Sequence, residues 1–527
     1  MRLSRRSFLK SSAATGLVTA SMTGVAGLAM PAISRAATRP VITHGLQSGD
    51  VSTSSGMIWS RADRPARMLV DVSTTESFAN ATRLAPLNVL PGSDFTAKRL
   101  LENLPSDQEI FYRITMADLN DANAVSEPSV GRFRTAPASR RSVRFAWSGD
   151  TAGQGWGIDK ASGGMKTYAT MAKHDPDFFI HSGDTIYADG PLKESVELKD
   201  GTTWTNILTE EKSKVAETLE EYRGQWKYNL MDDNVRAFNA TVPTFFQWDD
   251  HEVVNNWSAA KNLSDDERYT EKNVQLLAAR AARSFHEMTP ISYAPAEPGR
   301  VYRKIPYGPL VDVFFLDLRS YRGANGDNME DEITNASRIL GAEQMAWLKR
   351  ELVNSRATWK VIACDMPIGL VVWDKWQDQK WSEAVANGDN GPAKGRELEF
   401  ADLLRFIKSA DIDNIVWLTA DVHYTAAHYY NPDKAQFQDF KPFWEFVSGP
   451  LHAGTFGPND LDMTFGPELK YVKAPTEEQG ANLPPSMGLQ FFGLVDIDGA
   501  SEQLTVRLMD RDDAELFTVT LDPVRRG

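Results

Sequence analysis

Asp177-Phe178-Phe179-Ile180-His181-Ser182-Gly183-Asp184-Thr185-Ile186-Tyr187 is an apolar run that ends abruptly in Gly-Asp, with a phenol three residues further on. Five more apolar runs, at 143–147, 244–248, 311–316, 360–364 and 414–419, likewise end in carboxylates. They lead into Ser148-Gly149-Asp150, Asp249-Asp250-His251-Glu252, Asp317, Asp365 and Ala420-Asp421-Val422-His423. Stretches with helical spacing lie between them, at 165–174, 210–229, 273–287, 343–354 and 397–409. Buried strands alternating with helices predict an α/β domain whose sheet is at least partly parallel. Further strands at 489–495, 503–509 and 515–521 are expected to finish it.

Ligands in open α/β sheets bind at the carboxyl ends of the strands, so these acidic residues are expected to converge. Ionised carboxylates held together repel, and each raises the others' pKa unless a cation compensates. Asp, His, Asn and Tyr form a mixed donor set, suited to Ca²⁺ or Mn²⁺ through oxygen and to Fe or Zn through imidazole. Asp184 and Tyr187 can serve one ion from one loop. Asp421 and His423, two residues apart, would share one side of an extended segment. The sole cysteine, Cys364, excludes an intrachain disulfide and leaves thiolate out of the ligand set unless it folds in. His44, His174, His286 and His428 read as structural, whereas His181 and His452, near candidate site loops, are unassigned.

Upstream, from residue 41 to about 135, short alternating runs such as Arg67-Met68-Leu69-Val70-Asp71-Val72 are separated by turns, which predicts a small antiparallel β-sandwich. Ala136-Pro137-Ala138-Ser139 is a candidate linker. Residues 1–37 open with Ser4-Arg5-Arg6-Ser7-Phe8-Leu9-Lys10 and continue in an uncharged run rich in Ala, Gly, Ser and Thr. This is the form of a cleavable twin-arginine signal, so the translocation machinery is an expected partner and the periplasm or exterior the expected destination. The run is too weakly apolar for a stable membrane span in the mature chain. The 527 residues carry 57 Lys+Arg against 71 Asp+Glu. A net charge of −14, which becomes more negative once the signal is removed, excludes nucleic-acid binding by diffuse attraction.

Taken in order, several motifs resemble the PhoD-like alkaline phosphatases and phosphodiesterases of the calcineurin-like metallophosphatase superfamily. They are His44-Gly45-Leu46-Gln47-Ser48-Gly49-Asp50, Trp59-Ser60-Arg61, Gly183-Asp184-Thr185-Ile186-Tyr187, Trp248-Asp249-Asp250-His251-Glu252 with Asn255-Asn256, Asp317-Leu318-Arg319-Ser320-Tyr321-Arg322, Leu340-Gly341-Ala342-Glu343-Gln344, and Asp421-Val422-His423. The resemblance implies a four-layer αββα metallophosphatase core over residues 142–523, preceded by a fibronectin-III-like β-sandwich over 38–137. It also implies that Asp150, Asp184, Tyr187 and His423 hold a ferric-type ion. Asp184 would bridge to a second ion, Ca²⁺ in such proteins, held by Asp421 and by Asn256 or Asp250. Many members carry Cys where Asp150 stands; the harder oxygen donor keeps Fe³⁺ favoured, with Mn²⁺ or Zn²⁺ as alternatives.

The expected activity is hydrolysis of small phosphate esters by in-line attack of a hydroxide bridging the metals, with diester cleavage of a phosphodiesterase or phospholipase-D-like kind as the alternative. His251 is the candidate for stabilising the transition state or protonating the leaving oxygen. Arg319 and Arg322 are candidate phosphate clamps, with pairing to structural carboxylates as the competing role. The Trp-rich stretch 371–390 and the loop 448–454 are expected to shape substrate access.

Overall fold

The computed structural model describes residues 39–525. The signal expected over 1–37 lies outside them. Among the described residues no helix is long and apolar enough to cross a membrane.

Two antiparallel sheets are formed by residues 42–134. One joins Ile42–Gly49, Gly56–Ala62 and Thr96–Leu101. The other is built on Ala66–Ser73, Glu109–Asp118 and Ser129–Arg134. Alternation along Glu109–Asp118 turns Ile110, Tyr112, Ile114 and Met116 inward, as a period of two requires.

Two larger sheets follow. The first places Thr244–Gln247, Phe178–Ser182 and Val143–Ser148 in parallel order, then continues antiparallel through Phe491–Ile497, Leu504–Asp510 and Glu515–Leu521. The second has seven strands. Its centre is the parallel series Val311–Phe315, Trp359–Ala363, Ile415–Thr419 and Phe443–Val447. The two sheets bury their facing sides together, with Phe145, Trp147, Phe178, Ile180 and Phe245 in one cluster with Val313, Phe315, Val361, Ala363, Val416 and Leu418.

On the outer side of the first sheet, Met171, Trp226, Leu277 and Phe285 come from helices. On the outer side of the second, Leu348 and Leu352 of helix Ala342–Asn354 and Leu403, Leu404 and Ile407 of helix Glu397–Ser409 do the same. The order is helix, sheet, sheet, helix, the four-layer core that the resemblance implied. The sandwich is seated against it by polar contacts. Trp59 Nε1 and Gln47 Nε2 donate to the carbonyls of Glu287 and Met288, satisfying the last turn of helix Val274–Met288, and Arg303 pairs with Asp50 at 2.7 Å.

Two local expectations change. The helix expected over 210–229 is a short 3₁₀ turn, Glu211–Ser213, and a separate helix, Leu219–Asn229. A capping box between Thr218 and Glu221 starts the second helix, because it satisfies the first free N–H groups there. Asp421-Val422-His423 is not extended. Asp421 and His423 both adopt left-handed φ values, +68° and +62°, so a bend brings them to the site.

Candidate metal centre

Among the described residues, three overlapping groups of acidic and histidine side chains gather where the strands end: Asp150, Asp184 and His423; Asp184, Asp250 and His251; and Asp249, Asp250 and Asp421. Within each group the potential ligand atoms lie within 4.8 Å of one another. Asp184 belongs to two groups, and so does Asp250, so the three form one continuous cluster. Apart from Asp421, every member is buried. The residues come from both sheets: Asp150, Asp184 and the 249–251 segment follow parallel strands of the first, and Asp421 and His423 follow Ile415–Thr419 of the second.

Charge in this cluster is poorly compensated by protein alone. Both carboxylate oxygens of Asp150, Oδ2 of Asp249 and Oδ1 of Asp250 are buried without a hydrogen-bond partner. Burial, then the charge of Asp249, pushes the Asp150 carboxyl well above its ordinary range. Burial and Asp250 do the same to Asp184, and burial and Asp249 to Asp421. Tyr187 is likewise raised well above 10, by burial and by Asp184. Buried anionic oxygens without partners are costly, and a cation among them would remove that cost. The donor set is oxygen and imidazole. Cys364 is buried and belongs to none of the groups. The residues present therefore fit metal ions.

The imidazole of His423 has a fixed tautomer. Its Nδ1 donates to the Gly454 carbonyl, which leaves Nε2 unprotonated and 2.8 Å from the Tyr187 hydroxyl. Burial holds its pKa down to about 4. The Tyr187 ring fits because residue 153 is glycine: a Cβ there would sit 2.3 Å from ring atom Cδ2. Asn256 lies beside Asp250 through its backbone N–H, while its side-chain amide donates to Asp374 Oδ1 at 2.8 Å.

His251 has a partner that sequence reasoning missed. Its Nδ1 is 2.6 Å from Asp189 Oδ1, and Asp189 Oδ2 accepts the N–H of Asn255 at 2.9 Å. Burial opposes charge on the ring, yet Asp189 and Asp250 outweigh it and raise His251 to about 9. The only signal in the sequence was a carboxylate five residues beyond Asp184, in an Asp189-Gly190 pair that reads as a turn. Glu252, the last of the four titratable residues after Trp248, points back into the fold. It accepts the N–H groups of Asp184, Thr185 and Asp249, fixing the ligand loops.

Arg319, a candidate phosphate clamp or partner of structural carboxylates, has a fully buried side chain occupied by carboxylates. It donates to Asp249 and Glu383, lies 3.2 Å from Asp421 Oδ1, and is within 4 Å of Asp250 and Asp365. Arg322 is buried too and pairs with Glu383 at 2.9 Å. Both guanidinium groups pair with carboxylates inside the protein, which favours the structural role over the clamp.

The PhoD-like phosphatase family model matches residues 145–508, and the model for the PhoD-like phosphatase N-terminal domain matches 27–137. Alkaline phosphatase D of Bacillus subtilis (strain 168) is 30% identical over 405 residues. That alignment covers 72% of this chain and spans 64% of the relative's length. Among solved structures, one of PhoD aligns with a TM-score of 0.66 at 22% identity, covering 91% of this chain and 89% of the other. A purple acid phosphatase from yellow lupin (Lupinus luteus) seeds aligns at 0.53 and 14% identity, covering 92% and 74%. These two likenesses bear on the fold, which they share with the four layers described above. The family-model matches, covering the core and the region before it, establish that the chain belongs to the PhoD-like phosphatase family.

Proposed function

We propose that this protein is a metal-dependent hydrolase of phosphate esters, of the alkaline phosphatase D type. The observation that carries the reading is the buried carboxylate cluster around Asp184, with both oxygens of Asp150 left without a hydrogen-bond partner, beside a histidine held by its own aspartate. Asp150, Asp184, Tyr187 and His423 would hold one ion, and Asp184, Asp250, Asn256 and Asp421 the second. Fe³⁺ and Ca²⁺ suit these donors, with Mn²⁺ or Zn²⁺ as alternatives. Such ions supply Lewis-acid polarisation of phosphoryl oxygens and make water acidic enough to attack at neutral pH.

The chain's own residues do the rest. Asp189 orients the His251 ring and favours its protonated form, so that His251 can donate to the departing ester oxygen. Arg319 balances Asp249, Glu383 and Asp421 without facing the substrate. Glu252 fixes the backbone that presents Asp184. We further propose that residues 1–37 are a twin-arginine export signal giving a periplasmic or secreted protein, that 38–137 form the sandwich domain, and that 142–523 form the catalytic domain. Family-model matches over 27–137 and 145–508, with the change of sheet after Arg134, support a division of the chain near residue 140.

The test pairs metal analysis of the purified protein with hydrolysis of p-nitrophenyl phosphate and bis-p-nitrophenyl phosphate. Turnover that is lost on chelation and restored by metal is expected. The ratio of the two rates assigns mono- or diester preference, and a protein that retains metal but turns over neither ester refutes the reading.

A further inference from the structure

His181 lies on strand Phe178–Ser182, is 1% exposed, and is used by nothing in the chemistry above. Its ring stacks on Phe246, with centroids 5.9 Å apart, and meets Phe179 edge-on at 5.7 Å. Its two nitrogens reach two different loops. Nε2 is 2.9 Å from the Thr151 hydroxyl, and Nδ1 is 3.2 Å from the Thr185 hydroxyl. Thr151 directly follows Asp150, and Thr185 directly follows Asp184.

Both aspartates sit in strained backbone. Asp150 has φ +65° and Asp184 has φ +50°, flanked by Ala152 at +60° and Gly183 at +96°. A non-glycine residue in this region is strained and persists only where its surroundings hold it there. The two loops touch through Asp150 N–H to Gly183 O at 3.2 Å and Thr151 N–H to Asp184 O at 2.8 Å. The imidazole adds a side-chain tie across the same gap. A neutral ring offers one donor and one acceptor, and a threonine hydroxyl can complement either, so both bonds form together. Burial keeps the ring neutral, holding its pKa down to about 3.

We propose that His181 is a positioning residue that sets the spacing of Asp150 and Asp184 by bridging the hydroxyls of Thr151 and Thr185, and thereby sets the metal affinity of the Asp150, Asp184 and His423 group. The proposal rests on the metal-site reading above and goes beyond it by assigning affinity to a residue that touches no ion. Residues that orient ligands in this way typically change metal affinity by about 10–100-fold when lost.

The test is Mn²⁺ binding to chelator-stripped full-length protein, measured by calorimetry. His181→Phe keeps the ring stacking and removes both bonds; Mn²⁺ should bind about tenfold weaker or more. His181→Gln, which can still donate and accept, should recover most of that loss. Thr151→Val with Thr185→Val should reproduce the His181→Phe loss, and adding both to His181→Phe should change nothing further. Where His181→Phe fails to fold, the threonine pair carries the test alone. Mn²⁺ affinity within twofold of wild type in His181→Phe or in the threonine pair, or losses that simply add, would overturn the proposal. Tight Mn²⁺ binding by the wild type without ester hydrolysis would instead sink the activity reading and leave this one standing.

Discussion

Nδ1 of His251 and Oδ1 of Asp189 are 2.6 Å apart, both buried, at the edge of the carboxylate cluster. Asp189 belongs to none of the metal-competent groups, whereas His251 belongs to one. Asp189 therefore bears on the ring's orientation and charge more than on ion retention. Asp189→Asn should lower kcat by about a hundredfold, the lower end of what a positioned proton donor contributes, with metal content close to wild type. Parallel loss of metal and activity would show that Asp189 serves the ions instead.

Gly153 makes room for the Tyr187 ring, since an added Cβ would come within 2.4 Å of three ring atoms. Gly153→Ala should push the phenol away from His423, cost about 1–3 kcal/mol through overpacking and weaken metal retention. Thermal denaturation and metal analysis of the variant check both effects. Unchanged metal content with a lowered melting temperature would remove Tyr187 from the proposed ligand set.

Arg319 neutralises several buried carboxylates at once. Arg319→Met should destabilise the fold by about 3–5 kcal/mol, because the charges left behind have lost their partner. Denaturant titration reads this directly. A folded variant of normal stability whose KM alone rises would restore the clamp role that the geometry argues against.

The neutral, buried His181 gives a pH dependence of known sign. Its folded pKa, about 3, lies below the ordinary 6.5, so between these values the unfolded chain binds the extra proton and stability falls as pH falls. The contribution is complete above pH 6.5. From pH 8 to 5, wild type should lose about 2 kcal/mol relative to His181→Gln, the slope approaching roughly 1.4 kcal/mol per pH unit below pH 6. Equal slopes for the two proteins would mean that the ring titrates normally in the fold.

Much of this architecture was legible because one signal repeats: an apolar run stopped by Gly-Asp or paired carboxylates marks both a buried strand and the end where its ligands emerge. Asp150, Asp184, Asp421 and His423 were found in that way, the family resemblance added Asp250, and all five lie in the same cluster. Asp189 was not, because its meaning depends on a histidine 62 positions away that the chain pattern does not connect to it. The surroundings of Arg319 were hidden for a similar reason. Whether an arginine faces substrate or carboxylate is decided by Glu383, 64 residues on in a stretch read only as an access loop. The bend at Asp421 and His423 was missed because period-two spacing fits an extended strand and a left-handed turn alike.

The central claim is that the orphaned oxygens around Asp184 exist to hold metal for ester hydrolysis. Its most direct test is Asp184→Asn, assayed for bound metal and for p-nitrophenyl ester hydrolysis beside wild type. Because Asp184 is shared by two of the three groups, the account predicts that the variant loses most of its metal and all measurable turnover together while remaining folded. A variant that keeps wild-type metal content and activity would contradict it.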